Sequence, residues 1–84
     1  MSAEIKDLLS DLIKGLVNKP DEVEVSENEG DKVLIFEARV AKEDMGKVIG
    51  KKGKTIEAIK TIVGACGAKQ KKRFIFQIVD EEDN

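Results

Sequence analysis

Eighty-four residues with no histidine and a single cysteine, Cys66, exclude a disulfide framework and a Cys/His zinc site within one chain. Such a chain makes one small domain, able to bury roughly 60–65% of its unfolded surface, and no apolar stretch in it approaches membrane-spanning length. The net charge of −2 conceals a segregation, with residues 1–41 carrying −5, residues 42–73 carrying +7 and residues 74–84 carrying −4.

A local positive field of that kind steers polyanions even on an acidic protein. The opening "MSAEIKDLLSDLIKGLV" carries acids throughout and lacks a basic region followed by an uninterrupted apolar run, so it does not read as a secretory signal. With its lone cysteine, the chain is expected to be a cytoplasmic protein of a reducing compartment.

In chain order, Ile5, Leu8, Leu9, Leu12, Ile13, Leu16 and Val17 keep the 3–4 spacing of one helical face, and Asn18 and Pro20 are expected to stop that helix. "EVEV" alternates and predicts a short strand with Val23 and Val25 on one face. "NEGD" (28–31) predicts a tight turn in which Gly30 is free to take positive φ. "KVLIFEARV" (32–40) predicts a second strand, antiparallel to the first, with Leu34, Phe36, Ala38 and Val40 on one side.

From residue 42 the period changes. Met45, Val48 and Ile49 fit a helix of about two turns that Gly50 terminates, and Ile56, Ile59, Ile62 and Val63 form the stripe of another helix beginning after Gly53. The run "GACGA" (64–68) and the basic loop "KQKKR" (69–73) follow. "FIFQIV" (74–79) predicts a third strand, with Phe74, Phe76 and Ile78 on one side. "DEEDN" (80–84) reads as an acidic, disordered tail outside a single domain of residues 1–79. The order α-β-β-α-α-β predicts an α+β fold of two layers, three helices on one face of a three-stranded mixed sheet. The second and third strands are expected to be parallel across a right-handed crossover.

The chemistry lies in "VIGKKGKTI" (48–56). "GKT" at 53–55 ends like a P-loop, but the leading glycine of G-x-x-x-x-G-K-[ST] would fall on Val48, and a helix precedes the loop where that motif needs a strand. Taken at its own spacing, G-x-x-G joins two helices. Gly50 and Gly53 let an extended phosphodiester backbone approach the main chain, and the start of the next helix faces a phosphate with its amides and dipole. Lys51 and Lys52 add charge from the same turn.

These residues resemble the signature loop of the KH domain, I-G-x-x-G followed three residues later by an apolar side chain, here Ile49, Gly50, Lys51, Lys52, Gly53 and Ile56. The element order resembles the type II arrangement. With the chain length, "DEVEV" and "AKEDMGKVIGKKGKTIEAI", the chain is similar to the KhpA family of small single-KH bacterial RNA-binding proteins over nearly its whole length.

That resemblance implies a groove for about four unpaired nucleotides. Gly50, Lys51, Lys52 and Gly53 would hold the backbone. Val48, Ile49 and Ile56 would supply apolar groove surface, and Lys47, Lys54 and Thr55 its charged or polar edge. Ile49 and Ile56 also sit on helical stripes, which usually mean core, and Gly46 reads equally as a close-packing glycine. Lys69, Lys71, Lys72 and Arg73 form a second basic cluster, read as a solvated loop that could extend the groove. The absence of Tyr and Trp, and three phenylalanines that look internal, argue against aromatic stacking.

The resemblance implies an RNA chaperone or post-transcriptional regulator without a cofactor, as a homodimer or paired with a larger KH-containing protein of the KhpB type. "GACGA", and an outer sheet face of Val33, Ile35, Ile75 and Val79, are the surfaces offered to a partner. Single-stranded DNA is not distinguished from RNA by any residue. Catalysis lacks a general base, and the acids of 80–83 fall in the tail. The rival readings are a protein-interaction module on a KH scaffold and, more remotely, a small nucleotide-binding enzyme.

Overall fold

The first apolar stripe forms helix α1 (Ser2–Lys14) in the computed structural model, which describes residues 2–80. Leu9 and Ile13, one turn apart, are buried in the core. The helix ends three residues before its stripe does. Gly15 closes it, donating its N–H to the carbonyls of Asp11 and Leu12, each at 3.1 Å. Leu16 and Val17 then pack on the core from an irregular segment, so the spacing reported burial beyond the point where the helix stops.

After a 3-10 turn at Pro20–Glu22, strands β1 (Glu24–Glu29) and β2 (Val33–Val40) form the expected antiparallel hairpin, with Val25 opposite Ala38 and Glu29 opposite Leu34. The turn is tighter than "NEGD" suggests, because Asn28 and Glu29 still pair. Gly30 donates to the Val33 carbonyl at 2.7 Å without using positive φ.

Along β2, Leu34, Phe36, Ala38 and Val40 are all buried, as their alternation requires. Strand β3 (Arg73–Asp80) pairs with β2 in parallel, Phe36 opposite Phe76, so the sheet order is β1-β2-β3. Phe36 and Phe74 meet edge to face, their centroids 5.5 Å apart, and all three phenylalanines are buried. Asp80, read from the sequence as the first tail residue, pairs with Val40; the rest of the predicted tail lies outside the described residues. Val33, Ile35, Ile75 and Val79 are half-buried at alternate positions, on the opposite sheet face.

The two-turn helix expected from residue 42 is divided into a 3-10 turn, Lys42–Asp44, and a short helix α2 (Met45–Ile49). Helix α3 (Lys54–Lys69) carries Ile59 and Val63 into the core and lies against β3. "GACGA" falls inside α3, and part of it serves the fold itself. A Cβ at Gly67 would collide with the Lys72 carbonyl and stand 2.8 Å from Phe74, so this glycine is what lets α3 sit on β3. A Cβ at Gly46 would meet nothing within 4 Å, which removes the close-packing reason for that glycine.

Candidate nucleic-acid interface

The elbow between α2 and α3 is Gly50 followed by a 3-10 turn, Lys51–Gly53. Gly50 adopts φ 79°, ψ 171°, a region open only to glycine, and a Cβ there would strike Thr55. Gly53 takes φ 73°, ψ 13° at the head of α3, and a Cβ there would meet nothing within 4 Å. Gly50 is therefore fixed by crowding inside the elbow, whereas Gly53 is fixed by backbone angle alone and faces open space. Lys52, between them, is also left-handed (φ 57°, ψ 25°), a conformation costing a non-glycine residue about 1 kcal/mol.

The amide of Gly50 donates to Gly46 (2.9 Å) and that of Gly53 to Gly50 (3.1 Å). No side chain caps α3, because glycine occupies the capping position. Lys51, Lys52 and Lys54 are exposed there, at the positive end of the helix dipole, where cations are destabilising by about 0.3–1 kcal/mol each. Their placement opposes folding stability and suits an incoming anion.

The other predicted site residues divide. Lys47 is exposed, and Thr55 is half-buried against Gly50. Ile56 packs on the core. Val48 is 0% exposed and belongs to the core, which corrects its reading as groove surface: the five-residue α2 turns it inward and leaves Ile49, half-buried, beside the elbow.

Asp44 was not singled out by the sequence, yet it sets the position of α2. It is 1% exposed and accepts the N–H groups of Asn18 (3.2 Å) and Lys19 (3.0 Å) from the segment following α1. Lys19 Nζ donates to Glu43 at 2.9 Å, and that hydrogen bond holds the Glu43 carboxyl below the usual carboxylate range. Partners 25 residues away leave no local signal of this kind.

A trough of about 360 Å³ runs between Lys60 on α3 and the Arg73–Gln77 stretch of β3, whose outer edge no strand covers among the described residues. Lys60 was not expected at the site, and Arg73 was named only within the basic cluster that could extend the groove. Parallel pairing of β2 and β3 was the available signal, because it leaves β3 as the edge strand alongside α3. Of the second basic cluster, Arg73 lines the trough, while Lys72 is tied to Glu29 of the hairpin.

A family profile described as KhpA/KhpB, KH domain, matches residues 6–78. The chain belongs to the KhpA/KhpB KH-domain family. It is 48% identical over 75 residues to the RNA-binding protein KhpA of Clostridium acetobutylicum, covering 89% of this chain and 100% of the relative. It is 49% identical over 73 residues to the RNA-binding protein KhpA of Caldanaerobacter subterraneus subsp. tengcongensis (87% and 97%). The Borreliella burgdorferi RNA-binding protein KhpA is 43% identical over 74 residues (88% and 90%). No solved structure matches the chain. None of these relatives is named for a catalytic activity, and among the described residues no helix is long and apolar enough to cross a membrane.

Proposed function

We propose that the protein is a non-catalytic, cytoplasmic, single-stranded RNA-binding protein that holds about four unpaired nucleotides. Gly50, Lys51, Lys52 and Gly53 clamp the sugar–phosphate backbone, Lys47 and Lys54 add charge, and Ile49 lies beside the bases. The trough between Lys60 and the β3 edge carries the strand onward past Arg73. The names of the relatives support RNA as the ligand, and a role as RNA chaperone or post-transcriptional regulator is a further part of the proposal. One observation carries the reading: an exposed glycine–lysine elbow, uncapped, with its cations set against the helix dipole and open space over Gly53.

Recognition by stacking is not part of this proposal, since the phenylalanines are core residues. With about three phosphates neutralised, log K should fall with log salt at a slope near −2. A single groove of this size binds weakly, so we further propose that the protein works as a homodimer, or with the KH domain of a larger KhpB-type protein, raising affinity through effective concentration.

The test is Lys51→Asp with Lys52→Asp, measured by fluorescence anisotropy on a short unstructured RNA across a salt series. Affinity is expected to fall at least about tenfold and the slope to flatten, with an unchanged circular dichroism spectrum. Undiminished binding by the folded double variant would leave the protein-interaction scaffold as the better reading. A single-stranded DNA of matching sequence tests whether the elbow distinguishes the two sugars.

A further inference from the structure

Helix α2 carries one arm of the elbow, yet at five residues it is too short to hold its own shape or direction in water. What fixes it must come from outside. Val48, 0% exposed, pins its middle to the core, but one side chain leaves a helix free to pivot. The second anchor is Asp44, among the described residues the only charged one that is buried.

Aspartate is a preferred residue at the head of a helix because its carboxylate accepts the first free amides. Asp44 stands at that position and caps nothing in α2. Its carboxylate turns the other way, Oδ1 accepting the N–H of Asn18 at 3.2 Å and Oδ2 that of Lys19 at 3.0 Å. With each oxygen committed to a different one of two successive amides, the carboxylate is fixed in direction as well as in distance. The segment it grips is itself anchored, since Leu16, Val17 and Val23 to either side pack against the core. Glu43 repeats the tie at the surface by accepting from Lys19 Nζ at 2.9 Å.

Stability alone does not ask for this arrangement. Asn18 and Lys19 are exposed, so water would satisfy their amides without Asp44. An apolar residue would fill the buried position without desolvating a carboxylate, and such replacements of buried charge are often neutral or stabilising. What the carboxylate adds is direction. Asp44 and Gly50 lie about 9 Å apart along the helix. A pivot of about 10° at Asp44 therefore moves Gly50 by roughly 1.5 Å, more than a hydrogen-bonding clamp tolerates.

We propose that Asp44 is a positioning residue of the RNA clamp. It touches no RNA and sets affinity through α2, by holding Gly50 and the lysines after it where a phosphate meets them. This rests on the reading of the elbow as an RNA clamp and adds the residue that aims it. Because tie and clamp share α2, RNA bound at the elbow must in turn tighten the tie.

Asp44→Ala and Asp44→Asn are titrated with a short unstructured RNA, with protein concentration corrected for the folded fraction seen by circular dichroism. Val25→Ala, a core substitution in β1, is the control for lowered stability. The corrected Kd is expected to rise roughly tenfold for Asp44→Ala, to rise less for Asp44→Asn, which keeps one acceptor, and to stay unchanged for Val25→Ala. Wild-type Kd in the folded fraction of both Asp44 variants would overturn the proposal. A wild type that bound no RNA, or undiminished binding by Lys51→Asp with Lys52→Asp, would overturn the reading of the elbow instead. If neither Asp44 variant folds, hydrogen exchange on the wild type decides: saturating RNA is expected to slow exchange of the Asn18 and Lys19 amides several-fold, and unchanged exchange there would overturn the link.

Discussion

Helix α3 is bracketed by two lysine-rich turns of similar composition, GKKG at 50–53 and KQKKR at 69–73, and each holds a lysine in the left-handed region, Lys52 at φ 57° and Lys71 at φ 56°. Their surroundings are opposite. At the C-terminal end the cations sit where the helix dipole favours them, and the backbone closes on itself: the N–H of Lys72 reaches the Gly67 carbonyl at 3.0 Å and that of Lys71 the Ala68 carbonyl at 3.1 Å. Lys72 is also paired with Glu29. At the N-terminal end the cations sit against the dipole, and among the described residues Lys51, Lys52 and Lys54 pair with no carboxylate. One turn is explained by folding. For the other, the RNA backbone in the function we propose supplies the reason that folding does not.

The glycines belonging to the two turns provide the largest test of that contrast. Gly67→Val forces a side chain into the Lys72 carbonyl and Phe74, and should destabilise the fold by about 2–3 kcal/mol in urea titration. Gly53→Ala adds a methyl group to open space and incurs only the strain of positive φ, about 1 kcal/mol. RNA affinity should move the other way, with Gly53→Ala weakening binding and the folded fraction of Gly67→Val binding normally. Equal losses of stability would erase the distinction between the two turns.

The alternating strands, the element order and the elbow were legible because each rests on local spacing and one well-covered sheet face. Leu34, Phe36, Phe74 and Phe76 went where period two put them. Legibility failed wherever a stripe was wider than the sheet beneath it. Leu8, Leu12 and Ile62 have the spacing of core residues, yet a furrow between α1 and α3 leaves them outside. Periodicity reports a preferred side of a helix and not whether anything covers that side. Val48 and Ile49 show the same ambiguity over two adjacent residues, because a helix of five residues has too few turns to define a face. Nor could composition rank the two basic clusters, since the sign of a dipole depends on which end of a helix a lysine occupies. Asp44 was hidden differently, by partners distant in sequence.

The two left-handed lysines sharpen the contrast further. Lys71→Gly relieves positive φ at a helix end and should stabilise the protein by about 0.5–1 kcal/mol, with RNA affinity unchanged. Lys52→Gly relieves the same strain and should gain a similar amount, and more from the lost charge at the helix head, while binding RNA several-fold more weakly. A Lys71→Gly variant that lost affinity would mean that the C-terminal turn also touches RNA.

The smallest expected effect concerns Lys72 and Glu29. The hydrogen bond from Lys72, reinforced by its charge, holds the Glu29 carboxyl below its ordinary value. A depressed carboxylate stabilises the folded state above its unfolded-state pKa, and that contribution is lost as pH falls through the lowered folded-state value. Lys72→Met should therefore melt slightly below the wild type near neutral pH, with the gap closing under acid. The pair is exposed, so the gap should be small and shrink with added salt. Because the pair ties the C-terminal turn to the hairpin and leaves the elbow alone, RNA affinity should not follow the melting temperature. If affinity tracked the pH-dependent gap, the two turns would be coupled through α3, and the division between a folding turn and a binding turn would fail.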